Sequence, residues 1–311
     1  MTFDSTVLIL VTVIGAATPL LFAALGELVV ERSGVLNLGI EGMMLVGAVT
    51  AFAVTVATGS AALGILAAAI AGALMALAFG VLTLSLTANQ VATGLALTIF
   101  GIGLSALVGS GFVGIPVERL PRLQIPGLSD LPVLGPLLFN HDALVYLSML
   151  ATVGVAWFLV RTRPGMILRA VGESDVSAHS IGYDVILVRY LAVLFGGVMA
   201  GLGGAFLSLS YTPMWAEEMT AGRGWIALAL VVFSSWRPGR LFLGAYLFGG
   251  VTILQLYAQG SGGGFLGLPA QVLSMMPYLA TIVVLAVIAG GPWKGRLDAP
   301  ACLGKPFRPA T

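Results

Sequence analysis

The sequence predicts an all-α polytopic bundle that lives in a membrane, and three observations carry that reading. Of 311 residues, 59% are hydrophobic and only 9% are charged, whereas soluble domains are about 45–50% apolar and about 25% charged. The charges leave long charge-free runs at 5–26, 42–117, 143–160, 190–216 and 241–293, and a spanning helix needs roughly 20 mainly apolar residues. Runs such as Leu63-Gly-Ile-Leu-Ala-Ala-Ala-Ile-Ala-Gly-Ala-Leu do not alternate, which excludes the alternating segments of a membrane β-barrel.

The elements follow in order. Residues 6–26 form the first span. The preceding Met1-Thr-Phe-Asp-Ser lacks the positive charge and the following cleavage site of a signal peptide, so this span is expected to be retained. The second span, 36–57, opens on Asn37 and Glu41. Spans at 62–86 and 91–113 divide the rest of the long charge-free run, and 143–160 and 190–212 follow. Residues 223–236 make a short segment, re-entrant or broken. Spans at 241–258 and 271–290 complete a total of about nine, within a range of about 8–10. A single transmembrane domain thus covers 1–295, with a tail at 296–311.

Lys and Arg mark the cytoplasmic side. They gather in the 161–189 connection (Arg161, Arg163, Arg169, Arg189), after Trp236 (Arg237, Arg240) and in the tail (Lys294, Arg296, Lys305, Arg308). The tail and C-terminus are therefore expected in the cytoplasm and the N-terminus outside. The 114–142 connection, on the outer side, breaks the bias with Arg119 and Arg122 beside Glu118, Asp130 and Asp142.

Composition also excludes chemistry. A net charge of +1 without a basic stripe argues against nucleic acid. The lone Cys302 cannot form an internal disulfide, and His141 and His179 lack ligand-type neighbours, so no metal is expected. The two lysines, Lys294 and Lys305, follow no phosphate-binding loop, so the chain cannot itself run P-loop ATP hydrolysis, and no nucleophile-elbow or zinc-protease motif occurs. Transport is the function class left, with no catalytic residue and no bound cofactor.

The connection from Arg161 to Asp184 is longer than a turn requires. Pro164 can end the fifth span, Ser174 or Asp175 can cap a helix of about two turns, Gly182 can supply its left-handed stop, and Asp184 can cap the sixth span. Met166, Ile167, Leu168, Val171, Val176 and Ile181 interleave with the charges. They suit either a docking partner or a solvated loop resting on the membrane surface.

Arg169-Ala-Val-Gly-Glu-Ser-Asp-Val-Ser-Ala-His-Ser-Ile-Gly-Tyr-Asp resembles the ATPase-facing loop of ABC importer permeases for branched-chain amino acids, ribose-type sugars and nucleosides. Ser177 and Ala178 stand where that loop has an Ala pair, and Tyr183 replaces an aliphatic residue. Gly26-Glu-Leu-Val-Val-Glu-Arg-Ser-Gly-Val-Leu-Asn-Leu-Gly-Ile-Glu-Gly-Met-Met is similar to the nucleoside branch, as are Asn89-Gln-Val-Ala-Thr-Gly and Gly222-Arg-Gly-Trp-Ile-Ala-Leu-Ala. The resemblance covers about residues 20–290. It implies a permease subunit of an inner-membrane bacterial importer for a nucleoside, purine by preference. An ATPase subunit would hold the ATP and magnesium, and a second, larger permease and an extracytoplasmic binding lipoprotein would complete the complex. Arg169, Ala170, Val171, Gly172, Glu173, Ser174, Asp175 and Gly182, within 165–184, would form the ATPase-coupling loop. A sugar or branched-chain amino acid permease is the alternative within this class. A self-contained secondary carrier or channel is the alternative outside it, and the charge-free run 42–117 leaves such a carrier few ion-coupling carboxylates.

The polar residues inside the spans are costly in lipid and must face protein or water. Glu27, Glu31 and Arg32 suit the cytoplasmic interface. Asn37 and Glu41 lie deeper, four apart, among Gly34, Gly39 and Gly42. With Asn89, Gln90 and Thr93 they either line the translocation path or join helices through hydrogen bonds. Gly197 and Gly201 form a small-xxx-small pair for helix packing. Glu217 and Glu218 occupy an outer loop open to a binding protein or to water.

Overall fold

A computed structural model describes residues 3–124, 126–127, 129, 131, 133–260, 272–273, 275–276, 279–280, 282–283, 286 and 299–308. Among these, seven helices are long and apolar enough to cross a membrane, at Thr6–Arg32, Ile40–Thr58, Ala61–Ser85, Gln90–Phe112, Ala143–Arg161, Val185–Tyr211 and Pro238–Gln259. The expected span at 271–290 falls mostly outside the described residues.

The order of elements is α1 (Phe3–Arg32), α2 (Ile40–Thr58), α3 (Ala61–Gly80), α4 (Gln90–Gly109), β1 (Arg122–Gln124), α5 (Leu134–Leu138), β2 (Asn140–Asp142), α6 (Ala143–Arg161), α7 (Arg163–Glu173), α8 (Asp175–Ser180), α9 (Val185–Phe206), α10 (Arg223–Phe233) and α11 (Pro238–Gly260). Side-chain oxygens start the helices where the sequence offers them. Asn89 accepts from the Ala92 N–H, Asp142 from Leu144 and Val145, and Asp184 from Leu187, each satisfying an amide that the helix leaves open. Helices α3 and α9 both end in a π turn, at Val81–Ser85 and Leu207–Tyr211.

Helices α1, α2 and α9 form the centre. Helix α9 packs on α1, α2 and α3, α2 also packs on α3 and α4, and α1 packs on α6, α10 and α11. The close approach of α9 to α3 depends on glycine. A Cβ at Gly197 would lie 2.3 Å from the Gly72 carbonyl oxygen, and one at Gly201 would lie 2.2 Å from that of Ala68. Helices α3, α4, α6 and α11 turn apolar residues such as Leu66, Ile99, Leu150 and Leu243 outward, as a lipid-facing surface requires.

The all-α expectation needs one correction. Strands β1 and β2 form an antiparallel ribbon, with Arg122 opposite Asp142. Three-residue strands are too short to print a periodicity on the sequence, which needs about four to eight residues. A second difference lies at the α6–α7 joint. Pro164 does not end α6; it sits in the first turn of α7, where the missing N–H has no partner to lose. Thr162 makes the break. Its hydroxyl donates to the Phe158 carbonyl at 2.7 Å and accepts from Gly165 N at 3.1 Å.

Candidate functional site

Two features meet at one end of the bundle: the α7–α8 hairpin and the buried, helix-free connection 33–39 between α1 and α2. Helix α7 is amphipathic. Leu168, Val171 and Gly172 are buried, while Arg169, Ala170 and Glu173 are exposed. Ser174 separates the two helices and caps α8, accepting from Ser177 N at 3.3 Å. Asp175, in the first turn of α8, accepts from Val176 N with one oxygen and pairs with Arg189 at 3.1 Å with the other. Gly182 follows α8 with φ +94°. The outer face of the hairpin keeps apolar side chains in the open, with Val176 66% and Ile181 71% exposed. The sequence foresaw α8 but not α7. The signal lay in the Thr162 cap, Pro164 in the first turn, and the helical spacing of Leu168, Val171 and Gly172.

The hairpin abuts the connection directly. A Cβ on Gly172 would lie 2.1 Å from the Arg32 carbonyl oxygen, so only hydrogen fits there. The connection itself is walled by polar contacts. Glu27, 1% exposed, accepts from Asn37 N at 3.0 Å, and the Gln90 side-chain oxygen accepts from Leu36 N at 2.8 Å. The Asn37 side-chain oxygen accepts from Gly39 N at 2.9 Å, and the Thr98 hydroxyl donates to the Leu38 carbonyl at 2.9 Å. Non-helical backbone at membrane depth is tolerated where protein satisfies it in this way.

Glu41 reaches from the first turn of α2 to the N-terminus of α10. Its carboxylate accepts from the Thr220 hydroxyl (2.5 Å), Gly222 N (2.9 Å) and Gly224 N (2.5 Å). A carboxylate on open amides at the positive end of a helix is favourable on both counts. The far end of α10 is held by Glu31, which accepts from the Trp236 indole N–H at 2.6 Å, and by Arg32, which donates to the Trp236 carbonyl at 3.1 Å.

Five residues were singled out as path candidates. Asn37, Glu41 and Gln90 are buried inside the subunit, Thr93 is half-buried, and Asn89 is exposed at the start of α4. The sequence did not single out Arg189, Trp236 or Thr220, or the tail residues Cys302 and Phe307, which pack on the hairpin. Arg189 lay one residue before the expected start of a span. Extending the helix back to its Asp184 cap would have put a buried arginine on α9.

At the opposite end of the bundle a cavity of about 380 Å³ is lined by apolar residues such as Leu8, Phe206 and Ile253 together with Arg119, Arg122, His141, Asp142 and Ser210. Asp142 there accepts from the Ser210 hydroxyl, and Arg119 donates to the Ser210 carbonyl at 2.6 Å. Among the described residues no group of three or more His, Cys, Asp or Glu could hold a metal ion.

Comparison with known proteins gives these features a context. The profile of a family described as branched-chain amino acid transport system / permease component matches residues 9–289. A provisionally assigned glucose ABC transporter permease of Haloferax volcanii is 42% identical over 93% of both chains. A nucleoside ABC transporter permease of Lactococcus lactis is 32% identical over 88% of this chain and 90% of its own. A guanosine ABC transporter permease of Bacillus subtilis is 32% identical over 94% and 93%. No solved structure matches.

Proposed function

The chain belongs to the permease-component family of branched-chain amino acid transport systems, a family of ABC transporter permeases that are not enzymes, and from that membership we propose that it carries a nucleoside through the bacterial inner membrane. An ATPase subunit supplies the energy and holds ATP and magnesium. A binding protein delivers the cargo to the outer face, and a second, larger permease completes the pore. The α7–α8 end is then cytoplasmic, with the C-terminus, and the N-terminus lies outside.

The observation that carries this reading is the exposed face of the hairpin. Arg169 and Glu173 are exposed on α7, and Val176 and Ile181 are exposed on α8. The opposite face of α7 is locked against the backbone of α1 at Gly172. A surface with a free mixed apolar and charged face and a fixed back suits a partner that pushes. Asn89 and Thr93 on the open side of α4 line the route. Asn37, Glu41 and Gln90 hold the wall behind it, since the side-chain oxygens of all three accept hydrogen bonds within the subunit.

An uncharged cargo suits the buried charges. Among the described residues Glu27, Glu31, Glu41, Asp142, Asp175 and Arg189 each have a partner inside the chain, leaving no buried charge to receive a charged solute. Two relatives named for nucleosides support the nucleoside reading. The 42% identical glucose permease favours a second reading, a simple sugar. Binding of adenosine, guanosine, uridine, ribose and glucose to the cognate binding protein decides between them. Tight binding of a nucleoside is expected, and tight binding of a sugar alone overturns the nucleoside reading.

A further inference from the structure

The geometry points to Arg189 as a positioning residue of the transport cycle. Together with tail residues 299–308 it latches α8 to the helix-free connection 33–39, so that a displacement of the hairpin reaches the wall of the route. The inference rests on the importer reading above.

Arg189 is 1% exposed and spreads its guanidinium over three separate parts of the chain. One nitrogen pairs with Asp175 of α8 at 3.1 Å, another donates to the Ser33 carbonyl at 3.2 Å, and the third donates to the Lys305 carbonyl at 3.4 Å. A planar fork holds such partners in fixed relative positions, which a lysine cannot do. The tail ties the same parts a second time. Cys302 N donates to the Gly172 carbonyl at 2.9 Å, and Gly304 N donates to the Gly34 carbonyl at 3.1 Å. Consecutive carbonyls of one turn, Ser33 and Gly34, are thus held by the arginine and by the tail. Phe307 closes the assembly. It packs with Val171, Ala178 and Val185 and lies 6.0 Å beneath the Arg189 guanidinium.

The connection passes the motion on. Two residues beyond Gly34, Leu36 N donates to the side chain of Gln90, and Asn37 N donates to Glu27. Gln90 adjoins Asn89 at the start of α4. The hairpin cannot shift as a body without pulling on the 33–34 turn, and the turn cannot shift without disturbing Gln90. Chains of packed side chains and hydrogen bonds of this kind carry coupling between separated parts of a protein.

The test is the number of ATP molecules hydrolysed per solute imported by the complete reconstituted complex, with labelled adenosine and glucose as probes. Arg189→Lys keeps the charge facing Asp175 but loses the fork, and Phe307→Ala removes the ring beneath the guanidinium and loosens the tail while leaving the partners of the Arg189 hydrogen bonds in place. Both variants are expected to assemble with the ATPase, to hydrolyse ATP, and to use about fivefold or more ATP per solute than the wild type. A wild-type ratio in both overturns the latch, as does a proportional loss of hydrolysis and uptake, which marks a merely structural role. A wild-type complex that imports neither probe on ATP overturns the importer reading and the latch together.

Discussion

Glu41 illustrates how a costly residue is retained in an apolar helix. Its carboxylate serves two backbone amides and one hydroxyl at the start of α10, and bonds to an ionised acceptor are roughly twice as strong as neutral ones. Glu41→Ala is expected to lower the stability of the detergent-solubilised protein by about 3 kcal/mol, since it strands several donors at once. Thermal unfolding measures it. A variant with wild-type stability and altered cargo affinity would instead place Glu41 in the route. Gly172 makes a steric prediction. Gly172→Ala puts a methyl 2.1 Å from the Arg32 carbonyl oxygen, and overpacking of this kind costs about 1–3 kcal/mol. Reduced uptake with normal membrane insertion is expected, and normal uptake would contradict the fit described here. The sequence named both residues as notable but could not say what they touch, because the partners of Glu41 lie some 180 positions away.

Whole elements were legible where the physics is local. Charge-free runs marked the spanning helices because lipid excludes charge over the length of a helix. A capping residue marked the start of α9 at Asp184, whereas the caps at Asn89 and Asp142 emerged only in the structure. Helix α7 was passed over because its charges suggest a solvated loop, although its cap and the spacing of its apolar residues were in the sequence. The packing of the tail was not legible either, because it depends on carbonyls of distant turns. The hairpin carries the prediction at this scale. Reversing charge on its exposed face with Arg169→Glu or Glu173→Arg is expected to weaken co-purification of the ATPase while leaving membrane insertion unchanged. Such a change typically costs about 1–3 kcal/mol of binding, or about 5- to 150-fold in affinity. Undiminished co-purification in both variants would remove the hairpin as the docking face.

At the scale of the molecule, two helix-free approaches, 33–39 before α2 and 212–222 before α10, bring two helix N-termini together at Glu41 and Gly224. That junction lies behind the proposed route, and the α7–α8 hairpin is tied to the first of the two approaches. The proposed function gives the bundle a driven end at the α7–α8 hairpin, but the chain has no P-loop to hydrolyse ATP. The account therefore requires energy from outside the chain. The direct measurement is uptake of labelled nucleoside into proteoliposomes containing the purified complex. The account predicts accumulation only when ATP, the ATPase subunit and the loaded binding protein are all present, and its loss when any one is withheld. Accumulation by this chain alone, without ATP, would contradict it.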